Sequence, residues 1–133
     1  MSAERDLHRL LTTMRPELNP GRHVFTTVPG PTPPPGLAPV VTVAEAEGLT
    51  LVVRQELADA AGLSYDYVAG WITLRVHSAL DAVGLTAAVA TALADAGLSC
   101  NVVSGFHHDH LFVPYERAEE AVTLLRELAA HPR

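Results

Sequence analysis

Between Trp71 and Gly105 the apolar positions recur first every second residue, then at helical spacing, then every second residue again. Ile72, Leu74 and Val76 alternate with Thr73, Arg75 and His77, the pattern of a strand buried on one face. Leu85, Ala88, Val89, Ala92, Leu93 and Ala96 then fall on one stripe, as in a helix lying on a sheet. Gly97 stands where a left-handed residue ends such a helix, and Leu98, Cys100 and Val102 open a second alternating strand. Strand, loop, helix and strand in this order make a crossover unit whose helix covers one sheet face.

The same pattern continues to either side. Ser2 is a candidate N-cap for a helix from about Ala3 to Met14, with Leu7, Leu10, Leu11 and Met14 inward, and Pro16 and Asn19-Pro20-Gly21 break it. His23 to Val28 is β-branched and aromatic and reads as a strand. In Pro29 to Gly36, PGPTPPPG, five prolines lack the amide donor and fix φ, so the segment joins neither ladder nor helix. It reads as a stiff surface loop, with a proline ligand for an aromatic groove as the alternative. Pro39 to Glu47 is ambiguous between a short strand at Val40–Val43 and a turn of helix. Leu49 to Arg54 alternates as a strand, and a short helix from Gln55 to Ala61 follows, capped by Gly62.

After Gly105 the chain turns through Phe106-His107-His108-Asp109 and returns as a strand at His110–Val113. A last helix from about Glu116 to Ala129 buries Ala118, Ala121, Val122, Leu125 and Leu128. Glu116, Glu119 and Glu120 suit its positive N-terminal end. Leu51 through Asp59 lines up with Leu111 through Glu119, and helix, strand, strand, helix flank the Trp71 strand on both sides. The chain therefore divides into two copies of one small α/β unit. The first covers residues 1–66 and carries the proline-rich insertion at 29–39; the second covers 67–133.

Composition narrows the chemistry. A formal charge of −6 over 133 residues disfavours nucleic acid, whose phosphates demand a basic surplus, and an anionic membrane surface. No apolar run is long enough to span a bilayer and the N-terminus is charged from Glu4, so a soluble cytoplasmic protein is expected. The sole cysteine, Cys100, falls on the inward side of its strand and reads as a small core hydrophobe.

The residues at the helix entry (Asp81, Gly84, Leu85), at its exit (Gly97-Leu98) and in the alternation at Cys100 and Val102 resemble an ACT domain. Asp109 to Ala121, DHLFVPYERAEEA, is similar to the third strand and second helix of that family. The likeness is greatest to compact bacterial proteins built of two such units. It implies an α+β, ferredoxin-like fold of two pseudo-repeated βαββα units, with antiparallel sheets and helices on one face. It further implies a regulatory, non-catalytic protein that needs no cofactor, binds a small-molecule effector (an amino acid or related carboxylate) and associates as a homodimer. In that family the effector sits where the first loop of one unit faces a strand of another. Here the loop is His77 to Thr86, with His77, Ser78, Asp81, Val83, Gly84, Leu85 and Thr86 as candidate contacts. The facing strand is Ser99 to Val103, with Asn101, or its counterpart near Val24 to Val28.

The loop has its own physical case. Gly84 lets a ligand approach the backbone, and the amides of Leu85 and Thr86 open a helix without intrahelical acceptors, which suits a carboxylate. Asp81 can receive an amino group, and Asn101 offers a donor and an acceptor. The plainer alternatives are that Gly84 serves only tight packing and that Asp81 only caps the helix. No second Gly-containing loop precedes a helix in the first unit, so one site is expected.

Seven histidines raise a metal alternative. His108 and His110 share a face in extended chain, and His107 or Asp109 can turn to join them as ligands of a metal-dependent enzyme. A hairpin tip explains the same residues without a metal, and neither an HExxH nor a paired CxxC motif occurs. No nucleophile elbow or phosphate loop is present either. The expectation is no metal site and no catalysis, with a ligand-free association module as a further alternative.

Overall fold

The computed structural model describes residues 5–76 and 78–132. By packing, they fall into two compact units: one spans Gly21–Ala69, the other the residues up to Pro20 together with those from Gly70 onward.

The Gly21–Ala69 unit holds the latter part of β1 (Arg15–Val28), β2 (Val41–Glu45), β3 (Gly48–Arg54) and α2 (Gln55–Ala60). β3 is central and antiparallel to both neighbours, pairing Val24 with Val53 and Val28 with Leu49 on one side, and Val41 with Val52 on the other. The period of two sends Val24, Val28, Leu49, Leu51 and Val53 to one face. There they form a core with Ala58 of α2 and Leu37. Leu37 is 3% exposed, so the end of the proline-rich segment is anchored while its prolines lie in solvent. The ambiguous Val40–Val43 stretch resolves as strand, on an exposed edge. Gly62 ends α2 at φ 68°, with its own amide on Asp59 O and the Leu63 amide on Ala58 O. That is the Schellman arrangement.

The other unit begins with α1 (Leu7–Thr13) and the first part of β1, and continues with β4 (Val68–Arg75), α3 (Leu85–Asp95), β5 (Asn101–Ser104), β6 (Asp109–Pro114) and α4 (Ala118–Ala130), the last preceded by a 3₁₀ turn at Tyr115–Arg117. Its strand order is β1, β4, β6, β5. β6 lies between the two strands that α3 connects, which is the split βαβ of a ferredoxin-like unit. Ile72, Leu74, Leu111 and Val113 face Leu10, Leu11 and Met14 of α1, Leu85, Val89 and Leu93 of α3, and the apolar stripe of α4 in one core. The α4 stripe is the expected one in every position, and the α3 stripe differs only in that Ala88 and Ala96 are part-buried at its margin.

Several boundaries depart from the sequence reading. α1 starts at Leu7, capped by Asp6, whose Oδ1 accepts the Arg9 amide at 2.9 Å; the expected cap Ser2 lies outside the described residues. Pro16 and Pro20 do not end the regular structure but lie within the 14-residue strand β1. Their spacing of four puts both missing amides on one edge of the strand, and the ladder to β3 starts only at His23. β5 starts at Asn101 rather than Leu98, because the Leu98 amide is spent on Leu93 O in a second Schellman turn around Gly97, φ 74°.

Candidate functional site

The loop between β4 and α3 folds back on itself before the helix begins. The Ser78 amide reaches Val76 O, the Ala82 amide reaches Ala79 O, and Gly84 takes φ 104°, a left-handed conformation that favours glycine. Gly84 is the N-cap of α3, offers no side chain to it, and accepts the Ala88 amide at 2.9 Å. The helix therefore opens with first-turn N–H groups that have no acceptor within the helix.

Beside this turn lies a cavity of about 90 Å³, lined by Ser78, Ala79, Leu80, Ala82, Gly84, Leu85 and Thr86 of the loop and helix start, with Ser104 of β5 and Asp109 of β6. Asp109 is only 9% exposed, so a carboxylate is sunk into a wall of the cavity that also contains the start of α3. The volume suits a charged head group or a few waters rather than a whole metabolite. Leu80 (70% exposed), Val83 (83%) and Phe106 (76%) are large apolar side chains in solvent. The first two belong to this loop, and Phe106 lies between Ser104 and Asp109 in the chain.

Of the residues nominated from sequence, Ser78, Gly84, Leu85 and Thr86 come together around the cavity. Asp81 does not line it; its carboxylate, on a side chain 75% exposed, accepts from Nε of Arg5, itself 63% exposed, at 3.0 Å. Val83 points to solvent. Asn101 pairs with Phe112 at the far end of the β5–β6 ladder from Ser104 and Asp109, roughly 10 Å away along the strand. His77 lies outside the described residues. A Cβ on Gly84 would stand 3.0 Å from Leu7 Cδ2, so a side chain there would also press on Leu7.

Ser104 and Asp109 were not nominated for this site. The signal for Asp109 was the period of two through Leu111 and Val113, which puts residue 109 on their buried face.

The histidine cluster disperses. His108 Nδ1 lies 3.3 Å from Val76 O, His107 packs edge-on against Phe106, and His110 Nδ1 accepts from Trp71 Nε1 at 3.1 Å. Among the described residues no group of three His, Cys, Asp or Glu is placed to hold a metal ion. Burial, with the neighbouring His108 and Arg75, holds His110 below the ordinary histidine range, while Asp109 pulls the other way. Burial pushes the Cys100 thiol up to about 11, so it is not a poised nucleophile.

Split βαβ topology and a glycine-opened helix define a ferredoxin-like α+β protein, as expected. Two family models described as ACT domain match in tandem, over residues 2–70 and 67–127. The chain belongs to the ACT domain family. Among solved structures it is similar to a protein of unknown function from Vibrio cholerae, described as a possible transport protein. That protein is 48% identical, with 92% of this chain and 95% of the other covered and a TM-score of 0.82. It also resembles a protein from Agrobacterium tumefaciens, at 20% identity, 87% and 89% coverage and TM-score 0.67. The ligand-free regulatory subunit of aspartate kinase from Thermus thermophilus follows at 12% identity, 84% and 95% coverage and TM-score 0.55. The last two share the fold. No curated protein matches the chain.

Proposed function

We propose that this protein is a non-catalytic regulatory module that binds an amino acid or a related small carboxylate at the turn between β4 and α3. The observation that supports this most is the 90 Å³ cavity, which pairs the open amides of the α3 start with the sunken Asp109 carboxylate. A zwitterion matches both: its carboxylate takes the first-turn amides, and its ammonium takes Asp109. Asp109, rather than Asp81, is the acid suited to the amino group, since Asp81 is turned outward onto Arg5.

The cavity is too small for a whole ligand, so the remaining wall comes from a second copy. Exposed Leu80, Val83 and Phe106 supply apolar surface for that contact. The effector is thus held in a seam of a homodimer. The likeness to an aspartate kinase regulatory subunit is in keeping with a regulatory role, and the two family-model matches meet at residues 67–70.

A thermal-shift screen of the protein amino acids and common small acids tests the proposal. A true effector at a hundred times its dissociation constant adds about 2.7 kcal/mol, a shift of several degrees for a chain this size. Asp109→Asn keeps the side-chain shape and is expected to abolish the shift for an amino acid. A dimer that persists with no ligand response across the screen would support association alone.

A further inference from the structure

We propose a second binding site, in the groove between the start of β1 and α4, for a small acid with one carboxylate and an extended aliphatic body. The groove encloses about 650 Å³ and is lined by Arg15, Pro16, Glu17 and Leu18 of β1, Arg75 of β4, and Glu119, Val122, Thr123 and Arg126 of α4. That volume is in the range of small-molecule pockets. It is separate from the Gly84 turn, with which it shares no lining residue.

Charge is distributed unevenly along it. In a chain with 15 acidic and nine basic residues, arginines are expected to find carboxylates. Arg5, Arg54, Arg75 and Arg117 each hold one. Arg15 and Arg126 pair with no acid among the described residues. Arg15 Nη1 donates to Thr12 O and Met14 O, which steers its guanidinium and leaves its other N–H groups for a ligand. Arg75 is neutralised within the groove by Glu17 at 3.1 Å.

Chain direction places the two unpaired arginines toward the same end of the groove. A Cβ on Gly70 would lie 2.6 Å from Ala118 Cβ and 3.7 Å from Leu18 Cδ1, so Leu18 abuts the first turn of α4. From Leu18 back to Arg15 is about 10 Å of strand. From Ala118 on to Arg126 is about 12 Å of helix. Both arginines line the same groove, so both lie at the end remote from Gly70. Glu119 lies at the near end, on the helix stripe it shares with Thr123 and Arg126. Pro16, Leu18 and Val122 lie between.

Two guanidiniums suit one carboxylate, the apolar middle suits a methylene chain, and Glu119 repels a second anion at the far end. A monoacid, or one with an ω-ammonium, fits; an α,ω-diacid of the same length does not.

Calorimetric titration of the full chain with octanoate, ω-aminooctanoate and octanedioate tests this. The expected result is binding of the first two, with the diacid at least tenfold weaker. Arg126→Gln, or Arg15→Gln should the first variant fold poorly, is expected to weaken octanoate tenfold or more. Glu119→Gln is expected to bring the diacid up to the affinity of octanoate. No binding of any probe at millimolar concentration, a diacid that binds as well as octanoate to the unaltered protein, or octanoate affinity unchanged in the arginine variants would each overturn the proposal.

Discussion

Trp71 Nε1 donates to His110 Nδ1 at 3.1 Å, and this contact sets the tautomer of the imidazole. The accepting Nδ1 carries no proton, so Nε2 does. Thr73 Oγ1 also faces Nδ1 at 3.2 Å, and because Thr73 already accepts from Asn19 Nδ2, its hydroxyl proton is available to point at the ring. A proton added to Nδ1 meets two donors. The network, formed by β1, β4 and β6, therefore exists for the neutral histidine only.

A pH dependence follows. Burial holds His110 below its ordinary value in the folded state. As pH falls, the unfolded chain takes up the proton first. Stability is thus complete above the ordinary histidine range, about pH 6.5, and declines as pH falls from there through the lowered folded value. Urea midpoints between about pH 7.5 and 5 are expected to drop, and fluorescence of the single tryptophan to change in the same window. His23, also lowered by burial and Arg54, contributes in the same direction, so His110→Gln is expected to flatten the stability curve in part and the fluorescence titration entirely. A tryptophan signal independent of pH would contradict the contact.

Gly70 is a packing glycine. A methyl there would meet the Ala118 methyl at 2.6 Å, and both belong to elements that cannot retreat without opening the core. Gly70→Ala is expected to cost about 1–3 kcal/mol in chemical denaturation, and Ala118→Gly in the same chain to recover part of it.

Arg117 ties α4 to the end of α3. Its Nη2 and Nη1 donate to Ala96 O at 3.0 Å and Gly97 O at 3.2 Å, while Glu120 accepts from Nε and Nη2. Planar, forked donation of this kind is lost in lysine. The side chain is partly in solvent, so Arg117→Lys is expected to lower the denaturation midpoint only slightly. Equal stability of the two proteins would show the carbonyl contacts to be incidental.

Leu37 anchors the proline-rich segment to the core of its unit. Leu37→Ala is expected to cost about 2–4 kcal/mol and to speed proteolysis near residues 36–40. Unchanged digestion would mean that the prolines alone hold the segment.

Periodicity carried most of the architecture: five inward positions of α4 and the caps at Gly62 and Gly97 were legible residue by residue. It failed where one residue type has two physical uses. Pro16 and Pro20 read as breakers because proline usually ends regular structure, yet an edge with no ladder to satisfy tolerates them. Leu98 and Cys100 alternate like a strand, but the Leu98 amide is already committed to the helix end. At the candidate site, Gly84 and its neighbours were legible from chain-local rules. Ser104 and Asp109 reach the cavity only through strand pairing, and the histidines around Asp109 drew attention to a metal. Asp81 was nominated by proximity in sequence, and its pairing with Arg5, 76 positions away, was not readable there.

The central claim is that a small zwitterion docks on the open amides of α3 beside Asp109. Backbone amide NMR of the protein titrated with the best amino acid from the thermal-shift screen tests it most directly. The largest shifts are expected on Leu85 and Thr86, with Ser104 and Asp109 following, and are expected to vanish in Asp109→Asn. Saturating shifts clustered elsewhere, with Leu85 and Thr86 unmoved, would contradict it.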